Sequence, residues 1–183
     1  SGGSCFLKDL PYLFYLCVHF NLPQAANCSR AVVDMNALLK NRFSALVIDS
    51  LFRNIRGKRL AIFGFAFKEN TNDTRESPAI DVCKNFLNEN AHLAIYDPKV
   101  SFKQICKDLD VEGEDERIES CKTPYDAAKG AHAIVLLTQW KEFRELDYKK
   151  ILDTMQRPAW IFDGRNCLDH RLLRELGFLL RGI

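Results

Sequence analysis

The chain has 183 residues, 47% of them hydrophobic, and its 26 basic and 24 acidic side chains leave a formal charge of +2. Such a length accommodates one good core plus an appendage, and the apolar content excludes a disordered chain. The charges are interspersed without a basic stripe, and apolar runs such as Ala133 to Leu137 fall far short of the ~20 residues of a membrane span, so neither nucleic acid nor a membrane is expected as a partner.

No signal peptide is read ahead of the fold. Seven cysteines (Cys5, Cys17, Cys28, Cys83, Cys106, Cys121 and Cys167) form an odd set without CxxC spacing. Neither a zinc site nor a disulfide framework is expected, and a reducing, cytoplasmic setting fits. His19, His92, His132 and His170 share no ligand spacing, so no metal is assigned.

In chain order, the first element is a helix. Asp9 can cap it, Pro11 is tolerable in a first turn, and Tyr12, Leu13, Leu16, Cys17 and Phe20 repeat at helical spacing until Asn21, Leu22 and Pro23 break the pattern. From Gln24 to Phe52 no glycine or proline intervenes, and apolar residues recur every three to five positions, which predicts one long helix. Ala31, Leu38, Ala45 and Phe52 widen its apolar surface beyond a single stripe, which predicts contacts outside its own domain and association through this helix.

After Gly57 short apolar runs alternate with amphipathic stretches. "RLAIFGF", "HLAIY", "AHAIVLL", "AWIFD" and "GFLLRGI" read as strands; Pro78 to Leu87, "PYDAAKG", Tyr148 to Met155 and Asp169 to Leu176 read as helices. The charged stretch Lys103 to Lys122 reads as helix plus surface insertion. Strands apolar at every residue and separated by helices predict a doubly wound α/β fold with a Rossmann-like parallel sheet. The chain divides into an N-terminal helical segment with its long central helix (1–56) and the sheet domain (57–183).

Ligands of such sheets bind beyond the carboxyl ends of the strands. The loop after the first strand, "GFAFKENTNDTRESP", stands where GxGxxG would lie, but the second and third glycines are absent, so an independent NAD site is not expected here. Lys68 and Arg75 flank instead a helix start with Ser77 as cap and Pro78 at its first position, a seat for a phosphorylated ligand; the alternative is surface pairing with Glu69 and Glu76. In "FDGRN", Arg165 either joins Lys68 as an anion clamp or pairs with Asp163 or Asp169. Asp97 occupies the position that would hold a ribose hydroxyl, but with the glycines missing and Pro98 following it reads as a turn residue. Cys5 by itself reads as a small apolar residue or as a nucleophile eased by Gly2, Gly3 and Lys8; Asp9 reads as a cap or as a group acting on water.

Together, "GGSCFLKD", "GFAFKENTNDTRESP", "YDPKV", "GAHAIVLLTQW" and "IFDGRN" resemble the C-terminal half of the UDP-glucose 6-dehydrogenase family, in family order and over almost the whole chain. Dehydrogenases of GDP-mannose and UDP-N-acetylmannosamine share the cysteine motif but match these segments less closely. The resemblance implies oxidation of UDP-glucose to UDP-glucuronate with two NAD, through a thiohemiacetal and then a thioester on cysteine. It implies Cys5 as the nucleophile and Asp9 as the aspartate of the catalytic water. Gly2, Gly3, Ser4, Phe67, Lys68 and Arg165 become UDP-sugar contacts, and Lys8 and Arg75 positions near NAD. The family's NAD-binding domain precedes the cysteine, and its central helix mediates dimerisation. The 183 residues alone are therefore expected to be inactive. The competing expectation is a noncatalytic nucleotide-binding or assembly module; a stand-alone NAD-dependent oxidoreductase is disfavoured by the missing glycines.

Overall fold

A computed structural model describes the backbone of residues 4–111 and 115–183, with side chains from residue 8 onward. Two helices lead: α1 (Ser4–His19) and α2 (Pro23–Ser50). Then follow β1 (Arg59–Phe63), α3 (Pro78–Asn88), β2 (His92–Tyr96), α4 (Phe102–Asp108), β3 (Ile118–Ser120), α5 (Pro124–Ala128) and β4 (Ala133–Leu136). A 3-10 turn at Lys141–Arg144, α6 (Tyr148–Thr154), β5 (Trp160–Asp163), α7 (His170–Leu176) and β6 (Leu179–Gly182) complete the chain.

The six strands form one parallel sheet in the order β3-β2-β1-β4-β5-β6. This is the doubly wound arrangement the sequence predicts, and the strand order reverses between β1 and β4. Buried on both faces, β4 carries no polar residue, and β1 has only its first residue partly exposed. Phe63, Phe65, Phe86, Phe143 and Phe162 are fully buried in the core. Each such side chain contributes about 1.5–3 kcal/mol by leaving water.

Three expectations need correction. The first helix begins at Ser4, so Asp9 and Pro11 lie inside it and Asp9 is not its cap. A proline within a helix removes one backbone bond, at a cost of about 3 kcal/mol. Pro11, with Leu10 and Phe14, lines one side of a groove whose other side is Ser29, Arg30 and Val33 of α2. Second, α2 stops at Ser50, because Phe52 and Arg53 adopt left-handed backbone angles (φ 63° and 57°) and Phe52 points into solvent. Third, the stretch 103–122 contains an edge strand, β3, whose three residues are too few to show a period.

The two halves of α2 have different surroundings. Phe43 and Val47, with Leu51 just beyond the helix, join the sheet core. Nearer its start Met35 and Leu38 are exposed, as are Tyr12, Tyr15 and Val18 of α1. Lys40 Nζ ties α2 to Asp81 of α3 at 2.5 Å, and Asn85 Nδ2 donates to Ser44 Oγ at 3.1 Å. Among the described residues no helix is long and apolar enough to cross a membrane.

Candidate functional site

The loops after β1, β2, β4 and β5 converge at the carboxyl edge of the sheet, beside the point where strand order reverses. Gly64 makes the convergence possible. Its φ is +87°, and a Cβ there would stand 2.4 Å from Thr138 Cβ and 2.9 Å from the Thr138 backbone nitrogen. With that space open, the loop after β4 lies directly against the loop after β1.

Residues 65–67 then have every backbone polar group bonded. The N–H groups of Phe65 and Ala66 donate to Asp97 Oδ2 at 2.7 and 3.0 Å, and that of Phe67 donates to the Asp73 carbonyl at 3.1 Å. The carbonyl of Phe65 accepts from Ser77 Oγ at 2.8 Å, that of Ala66 from Thr138 Oγ1 at 2.6 Å, and that of Phe67 from Arg165 Nη2 at 3.3 Å. Ser77 also caps α3, accepting from the Ala79 N–H, with Pro78 in the first turn as the sequence predicts. A loop bonded at each group is held in one conformation.

Arg165 closes the arrangement. Its Nε donates to the Leu137 carbonyl at 2.6 Å, so one edge of the guanidinium grips two backbone carbonyls from two loops. The opposite end keeps N–H groups for a ligand. Among the described residues no carboxylate forms an ion pair with it; Asp163 accepts from the Arg165 backbone N–H instead, at 3.0 Å. The anticipated side-chain pairing with Asp163 or Asp169 is thus absent. Burial pushes the pKa of Arg165 down from its usual value. Beside it, between α2 and α3, lies a cavity of about 130 Å³ walled by Leu39, Phe43, Pro78, Val82 and Arg165.

Asp163 anchors the last loop. It is fully buried, and its Oδ2 accepts from the N–H groups of Cys167 and Leu168 and lies against His170 Nε2, all at 2.9 Å. Gly164 follows because a Cβ there would be 2.8 Å from the Leu136 carbonyl and 3.1 Å from the Phe43 ring.

Lys68 is exposed next to Phe67, with Nζ 5.3 Å from the centroid of that ring. Arg75 is also exposed, and its Nη2 pairs with Asp73 Oδ2 at 2.8 Å. Arg75, and to a smaller degree Lys68, holds the Asp73 carboxyl below the usual range. Of the N-terminal candidates, Lys8 and Asp9 are exposed on α1. Gly2 and Gly3, and the side chains of Ser4 and Cys5, lie outside the described residues. Four other thiols are disfavoured as thiolates: burial pushes Cys83 up strongly, Cys121 up to about 11, and Cys106 and Cys167 upward.

Sequence reasoning anticipated Asp97 as a turn residue, and its Oδ1 does accept from the Lys99 and Val100 N–H groups. Its second oxygen, which holds the β1 loop and Trp140 Nε1, went unforeseen, as did the hydroxyl of Thr138. The available signal was position: Thr138 and Trp140 follow β4 at the ligand edge.

Residues 61–170 match the UDP-binding domain of the UDP-glucose/GDP-mannose dehydrogenase family. The UDP-glucose 6-dehydrogenase of Drosophila melanogaster is 48% identical over 189 residues, covering 100% of this chain and 40% of that protein. That of Caenorhabditis elegans is 50% identical over 181 residues, covering 97% of this chain and 38% of that protein. The chain thus spans about two fifths of the length of these curated relatives. Among solved structures, a UDP-glucose dehydrogenase from Pyrobaculum islandicum superposes with a TM-score of 0.74 at 23% identity, covering 97% of this chain and 38% of that one, a likeness of fold. A UDP-D-ManNAc dehydrogenase from Pyrococcus horikoshii gives a TM-score of 0.71 at 25% identity, covering 100% of this chain and 38% of that one.

Proposed function

The chain belongs to the UDP-glucose/GDP-mannose dehydrogenase family, and from that premise we propose that it supplies the UDP-sugar-binding part and the nucleophile of an NAD-dependent UDP-glucose 6-dehydrogenase. The carrying observation is Arg165: a half-buried guanidinium, fixed by two carbonyls, with no carboxylate pairing it among the described residues, and adjoining the Phe67–Lys68 segment. A guanidinium so held grips a diphosphate through its remaining N–H groups, and Lys68 adds a mobile second charge from the same loop. Phe67 offers a partly exposed ring at the loop's edge.

In this proposal Gly2 and Gly3, with Ser4 at the start of α1, contact the UDP-sugar. Cys5 takes the C6 aldehyde as a thiohemiacetal and then carries the acyl group as a thioester, which water hydrolyses with Asp9 acting on it. NAD is the hydride acceptor of the complete reaction. The sheet of this chain does not fit that cofactor: its first loop lacks two of the three glycines, and Asp97, at the ribose position, is engaged by five donors. Lys8 and Arg75 are proposed to reach NAD only from its edge. Homo-oligomerisation through α2 is also proposed, supported by the exposed Met35 and Leu38.

Calorimetric titration of the 183-residue chain with UDP tests the reading. Saturable binding is expected, weakened at least tenfold by Arg165→Ala and less by Lys68→Ala. Absence of UDP binding by the unmodified chain overturns it. The same polypeptide, given UDP-glucose and NAD, is expected to form no NADH.

A further inference from the structure

Asp97 stands on the loop after β2 and makes no ion pair with the guanidinium among the described residues, yet its carboxylate bonds the segment that aims Arg165. Oδ2 receives the N–H groups of Phe65 and Ala66 and the indole N–H of Trp140 at 2.7, 3.0 and 3.2 Å. Oδ1 receives the N–H groups of Lys99 and Val100 at 2.9 and 3.0 Å. Three loops, after β1, β2 and β4, are therefore tied to one side chain. The peptide after Ala66 leads to the Phe67 carbonyl, one of the two acceptors that orient the Arg165 guanidinium. Thr138 Oγ1 holds the intervening Ala66 carbonyl at 2.6 Å.

We propose that Asp97 is a positioning residue for anion binding: by clamping the Phe65 and Ala66 amides it sets the Phe67 carbonyl, and through it the direction in which Arg165 presents its free N–H groups. The inference rests on the UDP-binding reading above. At the sheet position where a dinucleotide fold spends an acidic side chain on ribose, this chain turns the acid inward to shape the loop that meets the phosphate. A carboxylate whose two oxygens both accept N–H groups has no isosteric neutral substitute, since in either orientation the amide of asparagine turns its own donors toward N–H groups. A tilt of the loop by about 1 Å is enough to cost a well-aimed contact on the order of tenfold or more.

The test is a double-mutant cycle on the 183-residue chain, read by UDP calorimetry. Asp97→Asn is expected to weaken UDP on the order of tenfold in the unmodified background, but less than about twofold when Arg165→Ala is already present. Ile151→Val, a small core truncation in α6, which shares no hydrogen bond with the Asp97 loops, is expected to leave affinity within about twofold. Equal losses in both backgrounds, or no loss in the first, overturn the inference while leaving UDP binding itself intact. If the unmodified chain does not bind UDP, it is the parent reading that fails, and with it this inference. Should Asp97→Asn not fold, Asp97→Glu, which keeps both acceptor oxygens but sets them one methylene further out, enters the same cycle: a loss confined to the background that retains Arg165 is expected, and equal losses in both backgrounds, or none, overturn the inference.

Discussion

Replacing Asp163 with alanine gives the sharpest test of the site's architecture. The carboxylate is fully buried and receives the backbone N–H groups of Arg165, Cys167 and Leu168 and faces His170 Nε2, at 2.9 to 3.0 Å. Hydrogen bonds to a charged group contribute about 1.5–3 kcal/mol each, but the four are not additive, and the substitution also relieves the cost of burying the charge. Residues 165, 167, 168 and 170 are only partly buried, so water can reach some of the freed donors. The net loss is then about 3–4 kcal/mol, a large share of the 5–15 kcal/mol of a typical domain. With a urea dependence of about 2 kcal/mol per molar, the unfolding midpoint should fall by about 1.5–2 M at unchanged slope. Asp163→Asn, which keeps one acceptor, should fall in between. A shift below about 0.5 M for the alanine variant would refute the view that this side chain anchors the last loop.

Gly64→Ala should be severely destabilising, by about 3 kcal/mol or more, because the new Cβ meets both the side chain and the backbone of Thr138 at a left-handed φ; thermal unfolding measures it, and a change within 1 kcal/mol contradicts the packing. Stability should also fall in acid. Arg75 beside Asp73 and Arg117 beside Asp115 hold both carboxyls below the usual range, so the native state binds fewer protons than the unfolded chain. Their contribution is complete above the unfolded carboxyl pKa, about 4, and is lost as pH falls through the lower native values. Arg117→Gln should flatten that slope in urea midpoints taken from pH 5 downward; an unchanged slope speaks against it. Met35→Asp with Leu38→Asp on the exposed part of α2 should turn a sedimenting dimer into a monomer without loss of helicity; a wild-type chain that is monomeric at high concentration argues against association through this helix.

Most strands were legible in the sequence because parallel strands buried on both faces are nearly continuous apolar runs, as in "AIVL" of β4. β3 was not: its three residues include exposed Glu119 and Ser120 at the sheet edge, so neither length nor period marks it. The start of α1 was hidden by Pro11, since local rules place proline in a first turn, whereas here it lies in the middle of the helix. The ends of the candidate clamp, Lys68 and Arg165, could be named from strand–loop logic alone. What fixes Arg165 could not. Its two carbonyl acceptors lie 28 and 98 residues away in sequence, and backbone carbonyls leave no trace in residue type. Asp97 likewise looked like a local Asx turn, which is half of what it does; the other half is made across loops by Phe65, Ala66 and Trp140.

The central claim is that Arg165 grips a nucleoside diphosphate with the N–H groups its two carbonyl bonds leave over. It is tested most directly by comparing UDP and uridine binding to the unmodified chain and to Arg165→Lys. Lysine keeps the charge but cannot hold both carbonyls and a phosphate in one plane. UDP affinity is predicted to fall on the order of tenfold or more in the lysine variant while the weak binding of uridine stays the same. Equal UDP affinity for the two proteins would contradict the account.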